Sequence, residues 1–211
     1  MISRIRSIKR VISAAAGVAA TLVMLTAGAA ASDKNLLRAV VGIETTISPD
    51  ARTARILGTQ RQGSGVVIDD EGLVLTIGYL MLEADGAVIT GPSGKAVPAT
   101  VVAYDFETGL GLLRLMQKLN VVPLRLGDSS QLKKRDQVII ASRGGPQPLS
   151  AAQVVSRRIF SGYWEYLLER AIFTSPPHGF HSGAALIGRD GRLLGIGSLL
   201  VNDAVAPNVP S

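Results

Sequence analysis

The sequence predicts an all-β protein, a barrel or a sandwich, and three observations carry that prediction. Short apolar runs rich in Val, Leu and Ile recur from residue 40 to residue 199, separated by clusters of Gly, Asp, Asn and Ser. Two pairs of runs meet across tight polar turns, Asp69-Asp70-Glu71-Gly72 and Arg189-Asp190-Gly191, which are hairpin signals. Helical apolar spacing is sustained nowhere in that region beyond one short stretch. Aromatic residues are 4% of the chain against 47% hydrophobic, so aliphatic side chains must build the core.

Val40 to Ile47 is the first strand, and Ser48 to Gln62 is a polar connection carrying Arg52, Arg55 and Arg61. Gly63 to Thr76 is a hairpin around the Asp69–Gly72 turn. Ala87–Thr90, Val97–Tyr104 and Leu110–Met116 are three further strands, the last two linked by the turn Asp105 to Gly109. Asn120 to Pro123 is a joint between two halves. After the turn Gly127 to Leu132, Gln137–Ser142 and Leu149–Ser156 are strands. In Tyr163–Arg170 the residues Tyr163, Trp164, Leu167 and Leu168, with Ala171 beyond, share a helical face, which fits a short helix or an irregular edge. Ala184–Ile187 and Leu193–Leu199 form the last hairpin, and residues 204–211 are expected to fray as a disordered tail.

The first 31 residues stand apart. Arg4, Arg6, Lys9 and Arg10 precede an uncharged run from Val11 to Ala31, with small-x-small sites at residues 27–29 and 29–31. This is the pattern of a secretory signal. The alternative is an uncleaved anchor over residues 11–31, because about 20 apolar residues span a bilayer. The abundance of Ala and Gly favours cleavage, so a periplasmic or extracellular location is expected, with membrane contact only if the segment is retained. Four of the six net positive charges lie in this segment, which leaves a mature chain near +2. Charge therefore implies no nucleic-acid partner. The absence of cysteine excludes disulfides and thiol catalysis.

The stretch richest in chemistry is the loop Ser175 to Gly183 and the small cluster Ser182-Gly183-Ala184-Ala185. Such a cluster can expose a hydroxyl while backbone N–H groups point at a ligand, and it can equally be a tight entry into a hairpin. The two histidines, His178 and His181, lie in the same loop without acidic or thiol companions, so no metal and no cofactor are expected. Gly63-Ser64-Gly65 lacks the lysine and helix of a phosphate loop.

Four segments in order, GSGVVIDDEGLVLT, VVAYDFETGLGLLRL, LGDSSQLKKRDQVIIAS and HSGAALIGRDGRLLGIGS, resemble the HtrA/DegP-like branch of the trypsin-like serine proteases. The resemblance runs from Val40 to Leu200. It implies two six-stranded antiparallel barrels with the site in the cleft between them, here residues 36–118 and 119–203, and it implies export. The peptide-binding PDZ domain common in that family is not expected here, and the second barrel is expected either to close or to be truncated at its last elements.

The same resemblance places the site. The family's histidine, in a Thr-x-x-His-Val pattern, falls on Tyr79 of Thr76-Ile77-Gly78-Tyr79-Leu80. Its aspartate falls on Gly109, and its nucleophile falls on Ser182. The oxyanion donors would be the N–H groups of Phe180, a glycine in the family, and of Ser182. A serine hydroxyl is a poor nucleophile without a base, and an unperturbed phenol is neutral at pH 7. Asp105, the nearest carboxylate to Gly109, is expected to cap its own turn. His178 and His181 are expected to serve loop hydrogen bonding or lie exposed.

Two functions follow. One is a catalytically impaired homologue that binds extended or unfolded polypeptide along the edge Gly195-Ile196-Gly197, where glycines leave room for another backbone. Those glycines can instead serve barrel packing. The other is an active serine endopeptidase using Ser182 with a non-standard base. Nothing in the sequence sets an oligomeric state.

Overall fold

The computed structural model describes residues 37–162 and 166–205. Six strands, β1 (Val40–Ile47), β2 (Gln60–Val67), β3 (Leu73–Ile77), β4 (Ala84–Thr90), β5 (Ala96–Tyr104) and β6 (Leu110–Leu115), close a barrel in the order β1-β2-β3-β6-β5-β4. Every neighbouring pair is antiparallel. The period of two seen in the sequence is the reason: along β6, Gly111, Leu113 and Leu115 turn inward while Leu110, Leu112 and Arg114 are half-buried. Val41, Ile43, Val67, Val74, Ile89 and Leu113 fill the interior. Each such aliphatic side chain contributes about 1.5–3 kcal/mol on full burial.

Five more strands, β7 (Gln137–Ala141), β8 (Leu149–Gly162), β9 (Tyr166–Ser175), β10 (Ala185–Ile187) and β11 (Leu193–Ile196), form a second antiparallel sheet in the order β11-β10-β7-β8-β9. It curls into a half-barrel. The two-barrel, all-β class is therefore the one observed, with the second barrel open. Val40 and Val66 of the first barrel share a core with Ala141, Ala185, Ile187 and Leu193 of the second sheet. The seam between the two halves is thus itself a packed apolar layer.

Several boundaries differ from expectation, each for a local reason. The helical face at residues 163–170 is a strand from Tyr166 onward, because Tyr166, Leu167 and Leu168 pair with Gly162, Ser161 and Phe160 of β8. Ladder bonds there outweigh the weak helical spacing. Tyr163 and Trp164 lie outside the described residues, as do the whole signal segment and residues 206–211. The polar connection before β2 holds a helical turn, Ala54–Leu57. The strand expected to reach Leu199 stops at Ile196, because Gly197 turns its backbone to residues 183 and 184. Ala204, expected to fray, is buried; its carbonyl accepts from Ser156 Oγ, and Asp203 pairs with Arg158 at 3.1 Å.

Arg61 explains how the turn after β3 is held. Counting back by twos from the inward Val67 places it on the barrel's inner face, and it is 5% exposed. Its guanidinium donates to the carbonyls of Tyr79 (2.8 Å), Leu82 (2.9 Å) and Gly58 (3.2 Å), and to Thr53 Oγ1 (2.7 Å). Glu83 accepts from the backbone N–H and hydroxyl of Thr53, so a carboxylate stands one residue behind the cation. Burial holds the Arg61 pKa below its ordinary value, and Glu83 partly offsets this. Replacing Arg61 with Leu strands these acceptors. It should cost about 2–4 kcal/mol in urea unfolding, and Arg61→Lys should restore little, since an ammonium cannot reproduce the planar fork. Full stability in Arg61→Leu would show that water satisfies the turn instead.

Candidate functional site

The site lies on the seam and is assembled from backbone contacts first. At the end of β3, Ile77 pairs with Leu110, and the N–H of Gly78 donates to the carbonyl of Gly109 at 2.7 Å. This brings the turn Gly78–Leu80, which carries Tyr79, beside Gly109. The loop bearing Ser182 is tied to the first barrel by Ser64 N–H, which donates to the Ser182 carbonyl at 2.8 Å. Thr76 Oγ1 donates to the Ser64 carbonyl at 2.7 Å, and the N–H of Arg143 donates to Ser64 Oγ at 2.8 Å. Gly183 follows at φ +72°, and a Cβ there would fall 1.8 Å from the Ser64 carbonyl oxygen. Only glycine fits that seat.

These constraints bring Tyr79 and Ser182 into contact. The phenol oxygen lies 2.8 Å from Ser182 Oγ and 2.9 Å from the carbonyl oxygen of Ser198. A phenol has one hydrogen, and a carbonyl can only accept. Tyr79 therefore donates to Ser198, and the Ser182 hydroxyl donates to Tyr79. Gly109 supplies no side chain; its backbone sits at φ +71° with its carbonyl engaged by Gly78. Asp105 caps its own turn, accepting from the hydroxyl of Thr108 and the N–H of Glu107. Those same bonds, the Thr108 hydroxyl foremost, hold its carboxyl below the usual range.

Neither histidine is bonded to Ser182. His178 is 5% exposed and clamped between two serines, with Nδ1 2.8 Å from Ser150 Oγ and Nε2 2.8 Å from Ser142 Oγ. Burial, and then its neighbour His181, lower its pKa. His181 is half-buried and its Nδ1 meets no partner; burial lowers its pKa, partly offset by the backbone of Gly179. Phe180 is half exposed and is not among the non-glycine residues at positive φ, which are Glu83, Asn120 and Arg135. Its ring lies over Gly145, where a Cβ would sit 2.0 Å from Cε2.

Of the residues on the expected peptide edge, Gly195 and Ile196 belong to β11, paired with Leu186 and Ala185. Gly197 lies just beyond and bonds both ways with the nucleophile loop: its carbonyl accepts from Gly183 N–H and its N–H donates to the Ala184 carbonyl. A Cβ on Gly197 would fall 2.2 Å from the His181 carbonyl, so packing accounts for that glycine. An apolar cleft of about 990 Å³ opens beside these residues, between β9 and β11. Sequence reasoning missed Arg61, Ser64, Thr76 and Ser198. Strand parity signalled Arg61; the others act through backbone contacts between distant segments and left no local trace.

Residues 63–196, more than half of the chain, match the trypsin-like peptidase domain. The chain belongs to the trypsin-like peptidase family. Among its relatives, this trypsin-like domain is 24% identical over 188 residues to a protein named "Serine protease HtrA-like" from Staphylococcus epidermidis, covering 80% of this chain and 32% of that protein. It is 26% identical over 167 residues to "Serine protease HTRA2, mitochondrial" from Drosophila grimshawi, covering 72% of this chain and 37% of that one. The chain thus spans about a third of the length of the curated relatives it matches. The solved HtrA-type protease AlgW with a tripeptide superposes with a TM-score of 0.65 at 24% identity, over 79% of this chain and 52% of that one. A Mycobacterium tuberculosis protease in its active form gives 0.63 at 21%, over 82% and 75%. Both solved structures show a shared fold.

Buried His178 and half-buried His181, both with lowered pKa, set a pH response in this trypsin-like domain. A folded pKa below the unfolded value of about 6.5 means that the unfolded chain binds more protons, so stability rises with pH. The histidine contribution is fully present above about pH 6.5 and is lost as pH falls below it. The carboxylates with lowered pKa, Asp69, Glu83, Asp105 and Asp128, lose theirs only below about pH 4. The melting temperature should therefore fall between pH 7.5 and 5.5, and His178→Gln should flatten that slope. An unchanged slope in the variant would assign the response elsewhere.

Proposed function

We propose that this chain is an exported HtrA-type protease homologue, impaired in catalysis, that binds extended or unfolded polypeptide. The observation that carries the reading is the contact of Ser182 with Tyr79. Acyl transfer needs a base that takes the serine proton as the oxygen attacks. Here the hydroxyl points at a phenol whose own hydrogen is given to the Ser198 carbonyl. That phenol is a hydrogen-bond acceptor for Ser182 and no sink for its proton at neutral pH. No carboxylate stands at Gly109 to orient or stabilise a cation, and His178 has both ring nitrogens committed to serines. Loss of base and orienter together typically lowers turnover by about four to six decades.

Polypeptide binding needs none of these groups. An exposed strand edge pairs with an extended backbone whatever the chemistry beside it. The neighbouring AlgW structures carry peptides, which supports keeping polypeptide as the ligand class here. Export is supported by the basic, then apolar, N-terminal segment. Fractionation of the native host should find the protein outside the cytoplasm.

A fluorophosphonate probe, which labels activated serines, should leave Ser182 unmodified, and denatured casein should bind without being cleaved. Clean labelling of Ser182 would sink the impaired reading in favour of an endopeptidase with a non-standard base. Restoring Tyr79→His and Gly109→Asp together should still give no competent protease. The backbone at residue 109 sits at positive φ, which an aspartate resists. Phe180 also keeps ordinary φ at an oxyanion position, and one such donor contributes roughly 3–4 kcal/mol. Adding Phe180→Gly should raise casein hydrolysis well above the double variant; brisk hydrolysis by the double variant alone would show the loop to be competent.

A further inference from the structure

The first barrel closes on itself with six strands, whereas the second sheet leaves β9 and β11 as edges among the described residues. β9 runs for ten residues and is paired with β8 alone. β11 is paired with β10, and among the described residues its other side is bonded at Leu193, to Arg125 and Gly127. The 990 Å³ cleft lies between these two edges. Ile140 and Leu186 form its floor, and Phe106, Leu167, Leu199 and Leu200, all exposed, stand around its mouth. An apolar group of this size beside two open edges marks an interaction site.

The two kinds of surface set different demands on whatever fills the cleft. Edges require backbone N–H and C=O groups on both sides of the occupant. The floor requires apolar side chains on one face. An extended strand meets both demands at once, because its side chains alternate while its backbone bonds lie in the sheet plane. A small apolar molecule would cover the floor and leave both edges unpaired. Residues 206–211 of this chain contain Pro207 and Pro210, which lack ladder donors and suit an inner strand poorly.

We propose that the cleft accepts an extended segment of a partner polypeptide, which adds as a strand between β9 and β11 and completes the second barrel. The proposal rests on the polypeptide-binding reading and gives its ligand class: a segment of about six residues, the usual strand length, with apolar side chains at alternate positions. Side-chain alternation supplies the selectivity, and the edges supply affinity without regard to sequence.

Gly195 gives the means of testing it. A Cβ at that position would meet Leu186 Cδ2 at 3.6 Å and Ile172 Cδ1 at 3.9 Å, which is ordinary contact. Gly195→Leu therefore places a side chain in the cleft without a backbone collision. The probe is an amidated octapeptide of alternating Val and Thr with a Lys at each end, compared with one of the same composition in which the three Val and three Thr form blocks. The alternating peptide should bind at least tenfold tighter. It should also protect amides of Leu168–Thr174 and of Gly195–Ile196 from hydrogen exchange. Gly195→Leu should weaken it at least tenfold; Leu200→Asp, at the exposed rim, serves the same end if the first variant folds poorly. Equal affinity for the two peptides, or protection that omits β9, overturns strand addition while leaving the polypeptide-binding reading intact. Failure of denatured casein and both peptides to bind defeats both. A dimer in ultracentrifugation whose β9 amides are protected without peptide makes a second copy the occupant and overturns the proposal.

Discussion

One backbone hydrogen bond, from Ser64 N–H to the Ser182 carbonyl, fixes where the two halves of this chain meet at the site. Around it, Thr76 holds the Ser64 carbonyl, Arg143 holds the Ser64 hydroxyl, and Gly183 fits where any side chain would strike β2. None of these contacts involves a reacting group. They set the position of Ser182 relative to β3, and β3 sets the position of Tyr79. Convergence of residues 79, 109 and 182 is thus set largely by backbone geometry.

That separation between scaffold and chemistry explains how a peptidase fold can hold a tyrosine at this position. The phenol reaches across the seam to Ser182 and to the Ser198 carbonyl, so it satisfies two polar groups of the second half. An unpaired buried polar group costs about 1–3 kcal/mol, which makes such a bridge useful to the fold on its own account. Tyr79 has a structural role that needs no proton transfer. Its base function, by contrast, would require an ionisation that its bond to Ser198 opposes by demanding the phenolic hydrogen.

The same logic governs the other buried polar residues. Arg61 gathers the carbonyls of the Tyr79 turn, and His178 joins β8 to the end of β7 through two hydroxyls. Each is polar because its surroundings, backbone carbonyls for Arg61 and serine hydroxyls for His178, present groups that an apolar side chain could not satisfy. The open half-barrel is the opposite case. Its apolar floor and its two strand edges are left uncovered among the described residues, and they lie beside the serine loop rather than within it.

Much of this was legible in the sequence. Alternating apolar residues and the turns at Asp69–Gly72 and Arg189–Gly191 determined the strands, because a period of two and a tight turn are local properties. Motif order determined the family, and the sequence also named Tyr79, Gly109 and Ser182 as the residues to examine at the site. Tertiary structure alone decided the rest. The helical spacing after Tyr163 yielded, from Tyr166 onward, to pairing with β8. The role of Gly197 depended on the His181 carbonyl sixteen residues earlier in the chain, and that of His178 on Ser142 and Ser150. The bond between Tyr79 and Ser182 joins residues 103 positions apart. Such contacts leave no pattern in sequence, since what fixes them is the distance between segments that only the closed first barrel and the packed seam bring together.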